Sequence, residues 1–110
     1  MNKANFQGLT PLMVAALRNP RARIARALLK CGADPRLTDM TSSTALILAA
    51  RGNPSAAVLS ALIEAAPDTL NRASASGVTA LMAAAESGRA EIIDLLLKKG
   101  ADLRPKDPSG

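Results

Sequence analysis

The sequence has no histidine, tryptophan or tyrosine among its 110 residues, and it has one phenylalanine and one cysteine. Without histidine, the chain lacks the commonest general base and the commonest metal ligand of proteins. The single cysteine, Cys31, can form neither an intramolecular disulfide nor a zinc site of the Cys/His type. We therefore expect no metal and no other cofactor, and a reducing compartment such as the cytoplasm.

Motifs for catalysis and for membrane insertion are also missing. The sequence contains no G-x-x-x-x-G-K-[ST], G-x-G-x-x-G or G-x-S-x-G run. Glu91 and Asp94 lie one helical turn apart, but Asp94 precedes Lys98 by four residues, which is typical of a solvated helix face. No apolar run approaches the roughly 18 residues of a membrane span. We expect a protein that is not an enzyme and has no membrane span.

A seven-residue phrase occurs three times. It begins at Thr10, Thr44 and Thr79, and it reads TPLMVAA, TALILAA and TALMAAA. The threonines are separated by 34 and 35 residues, a period that is typical of stacked supersecondary units. The sequence therefore predicts one domain over residues 1–110, with repeats at about 5–38, 39–73 and 74–106. Residues 107–110 resemble the start of a further repeat, and without an evident polar cap we expect a longer array or other contacts over the last face.

Each threonine is a good N-cap for a short first helix, and Pro11 suits the first helical position. Second helices are predicted near 21–31, 55–65 and 90–99. Their apolar residues recur at i, i+3 and i+4, the spacing of one buried stripe. The predicted stripe residues are Ile24, Ala27, Leu28, Val58, Ala61, Leu62, Ile92, Leu95 and Leu96.

The connections carry their own signals. Gly32 and Gly100 are placed to end the second helices in the left-handed conformation. In the middle copy Ala66 precedes Pro67, so we expect that loop to be the least regular part of the stack. The segments 39–43 and 74–78 are rich in turn-forming residues.

The phrase, followed by Gly32-Ala33-Asp34, Ala66-Pro67-Asp68 and Gly100-Ala101-Asp102, resembles the ankyrin repeat. The resemblance implies an all-α solenoid of helix-turn-helix units joined by projecting hairpin-like loops. It also implies binding of another protein through the hairpin tips and the concave face of the first helices. Carried onto this chain, those positions are Phe6, Gln7, Leu9, Leu17, Arg18, Met40, Thr41, Ser43, Arg51, Gly52, Ala75, Ser76, Val78, Glu86 and Ser87.

The chain departs from the family at one position. Many ankyrin repeats carry histidine after T-P-L, where it joins the hairpin to the helix, whereas this chain has Met13, Ile47 and Met82. The departure puts that hydrogen-bond network in doubt, and with it the stability more than the fold.

Charge is unevenly distributed along the chain. Residues 1–36 hold seven Lys or Arg and one acid, whereas residues 37–71 hold one base and three acids. Arg23, Arg26 and Lys30 are spaced to share one helical face, which can bind an anion or an acidic partner or serve only as a solvated face. Nucleic acid is disfavoured because no Trp or Tyr is present for stacking. A structural spacer or capping segment of a longer repeat protein is the other alternative, and we expect a monomer.

Overall fold

The structure is a computed structural model, and it describes residues 8–53 and 55–101. Over these residues the chain forms helix pairs, as the repeated phrase predicts, and the predicted second helices agree with the observed ones to within one residue at each end. The α-helices are α1 (Pro11–Arg18), α2 (Ala22–Lys30), α3 (Ala45–Gly52), α4 (Ala56–Ala65), α5 (Ala80–Glu86) and α6 (Ala90–Lys98).

The first helices begin at the three threonines, as predicted. Thr10, Thr44 and Thr79 are buried, and each hydroxyl accepts from the backbone N–H three residues later, at 3.3, 3.4 and 3.3 Å. The Thr10 N–H also donates to Sδ of Met13 at 3.4 Å, so the sulfur takes a position where the family often has histidine. These bonds satisfy amides that would otherwise have no partner at a helix start.

The helices stack in two layers. In one layer α3 packs between α1 and α5, and in the other α4 packs between α2 and α6. Ala16, Ala49, Ala50 and Ala84 are fully buried, which lets neighbouring helices approach closely. The middle repeat is therefore covered on both sides.

The predicted apolar stripe is confirmed in the second repeat, where Val58, Ala61 and Leu62 are buried. In the third repeat Ile92 and Leu96 are buried and Leu95 is half-buried.

The predicted stripe is wrong in the first repeat. Ile24 is 36% exposed, Ala27 is exposed and Leu28 is only half-buried, whereas Ala25 is buried. The reason is position in the stack: α4 packs on α2 from one side, and Ile24 and Leu28 lie on the other side, at an open cleft. A helical pattern alone does not distinguish an end repeat from an internal one.

The predicted hairpin tips lie side by side. In the second tip the Asp39 N–H donates to the Ser43 carbonyl at 3.0 Å, and in the third the Ser74 N–H donates to the Val78 carbonyl at 2.9 Å. A further bond from the Ala75 N–H to a carbonyl of the preceding tip, at 2.9 Å, joins them. The tips therefore form one continuous edge.

The same turn position has a positive φ in every repeat. It is occupied by Gly8 (79°), Ser42 (62°) and Gly77 (83°), so only the middle tip places a side chain in the left-handed region. Gly32 and Gly100 both have a φ of 100°, which confirms the predicted left-handed helix ends.

The connection after Ala66 differs from its prediction as the least regular loop. Pro67–Thr69 forms one 3-10 turn, and the buried Thr69 hydroxyl donates to the Ala66 carbonyl at 2.7 Å. The extended

Candidate partner-binding groove

A cleft of about 350 Å³ opens between the second hairpin tip and helices α1 and α3. Its floor is apolar, because Leu9 and Leu48 are buried there and Leu17 is half-buried. We call this cleft the tip groove, and its lining residues are Leu9, Leu17, Asp39, Met40, Thr41 and Leu48.

Met40 forms the outer wall of the tip groove. Its side chain is 76% exposed, far more than Val14, Ile24 or Leu97, the other large apolar residues that are exposed in the described part of the chain. An exposed, flexible apolar side chain beside an apolar cleft is typical of a contact site. Folding alone does not account for a methionine at this position.

Asp39 holds the tip in shape. Its Oδ1 accepts from the Thr41 N–H at 2.8 Å, from the Thr41 hydroxyl at 2.7 Å and from the Ser43 N–H at 3.0 Å. Partial burial alone raises the pKa of Asp39, but these hydrogen bonds and the charge of Arg51 together lower the pKa below its ordinary value. The tip is therefore rigid and carries a negative charge near neutral pH.

The structure brings four of the predicted residues together in the tip groove, namely Leu9, Leu17, Met40 and Thr41. The sequence reasoning missed Asp39 and Leu48, which line the same cleft. Asp39 was within reach, because an Asp two residues before Thr41 is a common turn signal.

The prediction for Ser43 is wrong. Ser43 is fully buried, and its hydroxyl lies 2.9 Å from the Thr41 hydroxyl, so the side chain stabilises the tip and has no surface for a partner. Leu9 is also buried, at 9% exposure, and serves as floor only.

The remaining predicted residues lie elsewhere. Arg18 lines a different cleft, at the open end of the first repeat. Phe6 and Gln7 lie outside the described residues. The other predicted residues are exposed or half-buried along the tips and the ends of α3 and α5: Arg51, Gly52, Ala75, Ser76, Val78, Glu86 and Ser87.

Two of these residues contact the neighbouring repeat. A Cβ added to Gly52 would lie 3.0 Å from Leu17 Cδ1 and 3.1 Å from the Leu17 carbonyl oxygen, so glycine permits close packing there. The Ser87 hydroxyl donates to the Arg51 carbonyl at 2.7 Å. Both positions therefore stabilise the stack on which the tip groove is built.

The sequence reasoning also missed the inter-repeat role of Asn53. Its side chain is fully buried, and Nδ2 donates to the carbonyls of Ala16 and Asn19 at 2.8 and 2.7 Å. Its Oδ1 accepts from the Ser55 N–H at 2.9 Å, which is the capping role that the Asn-Pro pair predicts. Asn53 thus joins the first repeat to the second.

The basic face of α2 is partly neutralised. Arg23, Arg26 and Lys30 are exposed, as predicted, but Arg26 Nη1 lies 3.7 Å from Glu64 Oε2 of the second repeat. Such an exposed pair is weak. It nevertheless leaves two of the three cations without an ion pair among the described residues.

A second ion pair closes the same junction. Arg36 donates to both carboxylate oxygens of Asp68, at 3.0 and 2.8 Å. The hydrogen bond and charge of Arg36 lower the pKa of Asp68. The acids of the second repeat therefore balance part of the excess charge of the first.

Residues 8–53 and 55–101 contain no cluster of acidic or cysteine side chains suited to a metal ion. Over the same residues, every helix is too short or too polar to cross a bilayer.

Comparison with known proteins agrees with the repeat structure. A family model described as ankyrin repeats, three copies, matches residues 12–107, which is most of the chain. None of the curated proteins matches it. Ankyrin repeats are generally protein–protein interaction modules and are typically not catalytic. With three helix-turn-helix units, threonine-capped first helices and projecting tips, the chain belongs to the ankyrin repeat family.

Proposed function

We propose that this chain binds another protein through the tip groove and the neighbouring hairpin tips, and that it performs no catalysis. The observation that carries the proposal is Met40, 76% exposed beside an apolar cleft. Its tip is held by three hydrogen bonds to Asp39, so little conformational entropy is lost when a partner docks.

The surroundings of Met40 suit a protein partner. An apolar floor of leucines is bordered by the negative charge of Asp39 and the positive charge of Arg51, which acts on that carboxylate. An apolar centre with a charged rim is the usual anatomy of a protein interface. Along the joined tips, the exposed Ala75 and Ser76 extend the same edge toward the third repeat.

The test is to isolate a partner from source cells, identify it by mass spectrometry and measure its affinity by calorimetry. Met40→Ala and Arg51→Ala should each weaken binding by about 1 kcal/mol or more, roughly five-fold, because hot-spot residues contribute at least that much. Leu97→Ala and Arg23→Ala are the matched controls, since they remove the same kinds of side chain on other faces. All four variants should melt nearly as the unchanged chain does.

Two results would contradict the proposal. If Met40 and Arg51 leave binding unchanged while Arg23 and Arg26 reduce it, the partner binds the outer face of α2. An acidic partner held there would also dissociate steeply with salt and fail to bind when Arg23, Arg26 and Lys30 are all changed to Glu. If no protein is retained at all, the chain is a structural spacer or cap.

A further inference from the structure

A second and larger cleft, of about 700 Å³, lies at the outer side of the first repeat, between α1 and α2. Val14 and Ile24 line it with exposures of 39% and 36%, and Leu28 is half-buried beside them. Arg18 borders the cleft. We call this surface the N-end face, defined by Val14, Arg18, Ile24, Leu28 and the adjacent Lys30.

The N-end face has the same register as the stacking surfaces inside the protein. Thirty-four residues after Val14, Ile24 and Leu28 come Leu48, Val58 and Leu62, whose exposures are 4%, 0% and 1%. Those residues are buried because the first repeat packs against the second. The N-end face is therefore a stacking surface on which, within the described residues, no repeat packs.

The opposite end carries the complementary stacking surface. On α5 and α6, Met82 and Ile93 are half-buried, Ala85 is exposed and Leu97 is 38% exposed. Their counterparts one repeat earlier, which pack beneath the third repeat, are Ile47, Ala50, Leu59 and Ile63, with exposures of 0%, 0%, 0% and 4%. We call this the C-end face, defined by Met82, Ala85, Glu86, Ile93, Asp94 and Leu97.

The two end faces carry opposite charges. The C-end face has the exposed acids Glu86 and Asp94, whereas the N-end face has Arg18 and Lys30. Interfaces with complementary charges favour the right partner and oppose wrong ones. This difference has a geometric consequence that the repeat register makes explicit.

Contacts between the first and second repeats show which residues meet when one repeat stacks on another. A Cβ on Gly52 would lie 3.0 Å from Leu17. The counterpart of Leu17 in the third repeat is Glu86, and the counterpart of Gly52 in the first is Arg18. A first repeat stacked on the C-end face would therefore place Arg18 against Glu86.

The second contact gives the same result. Arg26 and Glu64 lie 3.7 Å apart between adjacent repeats. The counterpart of Arg26 in the third repeat is Asp94, and the counterpart of Glu64 in the first is Lys30. The same stacking therefore brings Lys30 to Asp94, so both register positions pair opposite charges.

We propose that copies of this chain associate head to tail, with the C-end face of one molecule packed on the N-end face of the next. The apolar residues supply the burial, and the pairs Glu86–Arg18 and Asp94–Lys30 set the register. A head-to-tail contact of this kind does not close, so the assemblies lengthen with concentration. The proposal revises the sequence-based expectation of a monomer, and it is independent of the tip groove.

The experiment is sedimentation equilibrium of the full chain over a range of concentrations. The expected result is a mean mass that rises through whole multiples of the chain mass. A single monomer mass up to about 1 mM, the limit of the weakest specific association, would overturn the proposal, and the end faces would then serve another occupant.

Two variants that block one end each determine the geometry. Ile24→Glu places a charge on the N-end face and Leu97→Glu places one on the C-end face, at positions more than one third exposed, so the fold is retained. Each variant alone should be a monomer. An equimolar mixture should form a 1:1 dimer and nothing longer, because only one compatible pair of ends remains. Met40→Glu, on the tip groove, is the matched control and should assemble as the unchanged chain does.

Charge exchange tests the register. Glu86→Arg should weaken association at least about ten-fold, since it opposes Arg18 with a like charge, and adding Arg18→Glu should restore it. Glu91→Arg, the same change on the exposed outer side of α6, should have no effect. Dimers that persist in either end-blocked variant alone, or a double exchange that restores nothing, would overturn the head-to-tail geometry.

Discussion

Replacing Asn53 removes the main polar contact between the first and second repeats. Its Nδ2 donates to the Ala16 and Asn19 carbonyls at 2.8 and 2.7 Å, and its Oδ1 accepts from the Ser55 N–H at 2.9 Å. Each such bond contributes about 0.5–1.5 kcal/mol, and a buried group left without its partner costs more. Because Asn53 is fully buried, we expect Asn53→Ala to destabilise the protein by about 3 kcal/mol.

Asn19 provides the matched control, because it is the same residue one repeat earlier. Its Oδ1 accepts from the Arg21 N–H at 2.9 Å, the local capping bond, and the residue is only half-buried. Asn19→Ala should therefore cost about 1 kcal/mol, the usual value of a cap. The difference between the two variants measures the contacts between repeats.

The assay is urea unfolding followed by circular dichroism, with the free energy extrapolated to water. Asn53→Asp sharpens the test, because it keeps the size and the Oδ1 acceptor but turns an oxygen toward two carbonyls. It should cost at least as much as Asn53→Ala. Equal losses for Asn53→Ala and Asn19→Ala, or a mild effect of Asn53→Asp, would refute the reasoning.

Three further predictions concern stability. Ser42→Gly should stabilise the protein by about 0.5–1 kcal/mol in urea unfolding, because φ is 62° there, and Gly77→Ser should have the opposite sign. Leu46→Ala, at 1% exposure in the covered middle repeat, should cost about 2–5 kcal/mol, and an unchanged melt would mean that the repeat register is wrong. The lowered pKa of Asp39 means that its ionised form stabilises the fold above about pH 4, and that this contribution is lost as the pH falls through the folded-state pKa. An acid titration followed by circular dichroism should therefore be less steep for Asp39→Asn, and an unchanged titration would contradict this role.

Local signals in the sequence were sufficient for most of the fold. The threonine caps and the glycine helix ends act within a few residues of their own position, so each repeat carries them unchanged. The 34-residue period then places equivalent helices against each other. Helix bounds, tips and stacking order follow from these short-range rules.

The first repeat shows why burial was harder to predict. Ile24 and Val58 have the same place in the pattern, yet Ile24 is 36% exposed and Val58 is fully buried. The difference lies in whether a neighbouring repeat covers the helix, and the helical period contains no information on that. The same holds for Arg26, whose partner Glu64 comes from the next repeat.

The candidate site was predicted in outline because tips and first helices are local features. Its details depend on contacts across residues far apart in sequence. Ser43 reads as an exposed turn residue but is buried by the bonds of its own tip, and Asn53 reads as a helix cap but reaches into the preceding repeat. Such roles require the packed structure.

The most direct test of the proposed recognition surface is amide hydrogen exchange of the chain with and without its captured partner. We expect new protection in the tip segments 39–43 and 74–78 and at the C-terminal ends of α1 and α3, where the tip groove lies. The outer side of α2 should exchange at the same rate in both states. Protection confined to α2, with the tips unchanged, would contradict the account.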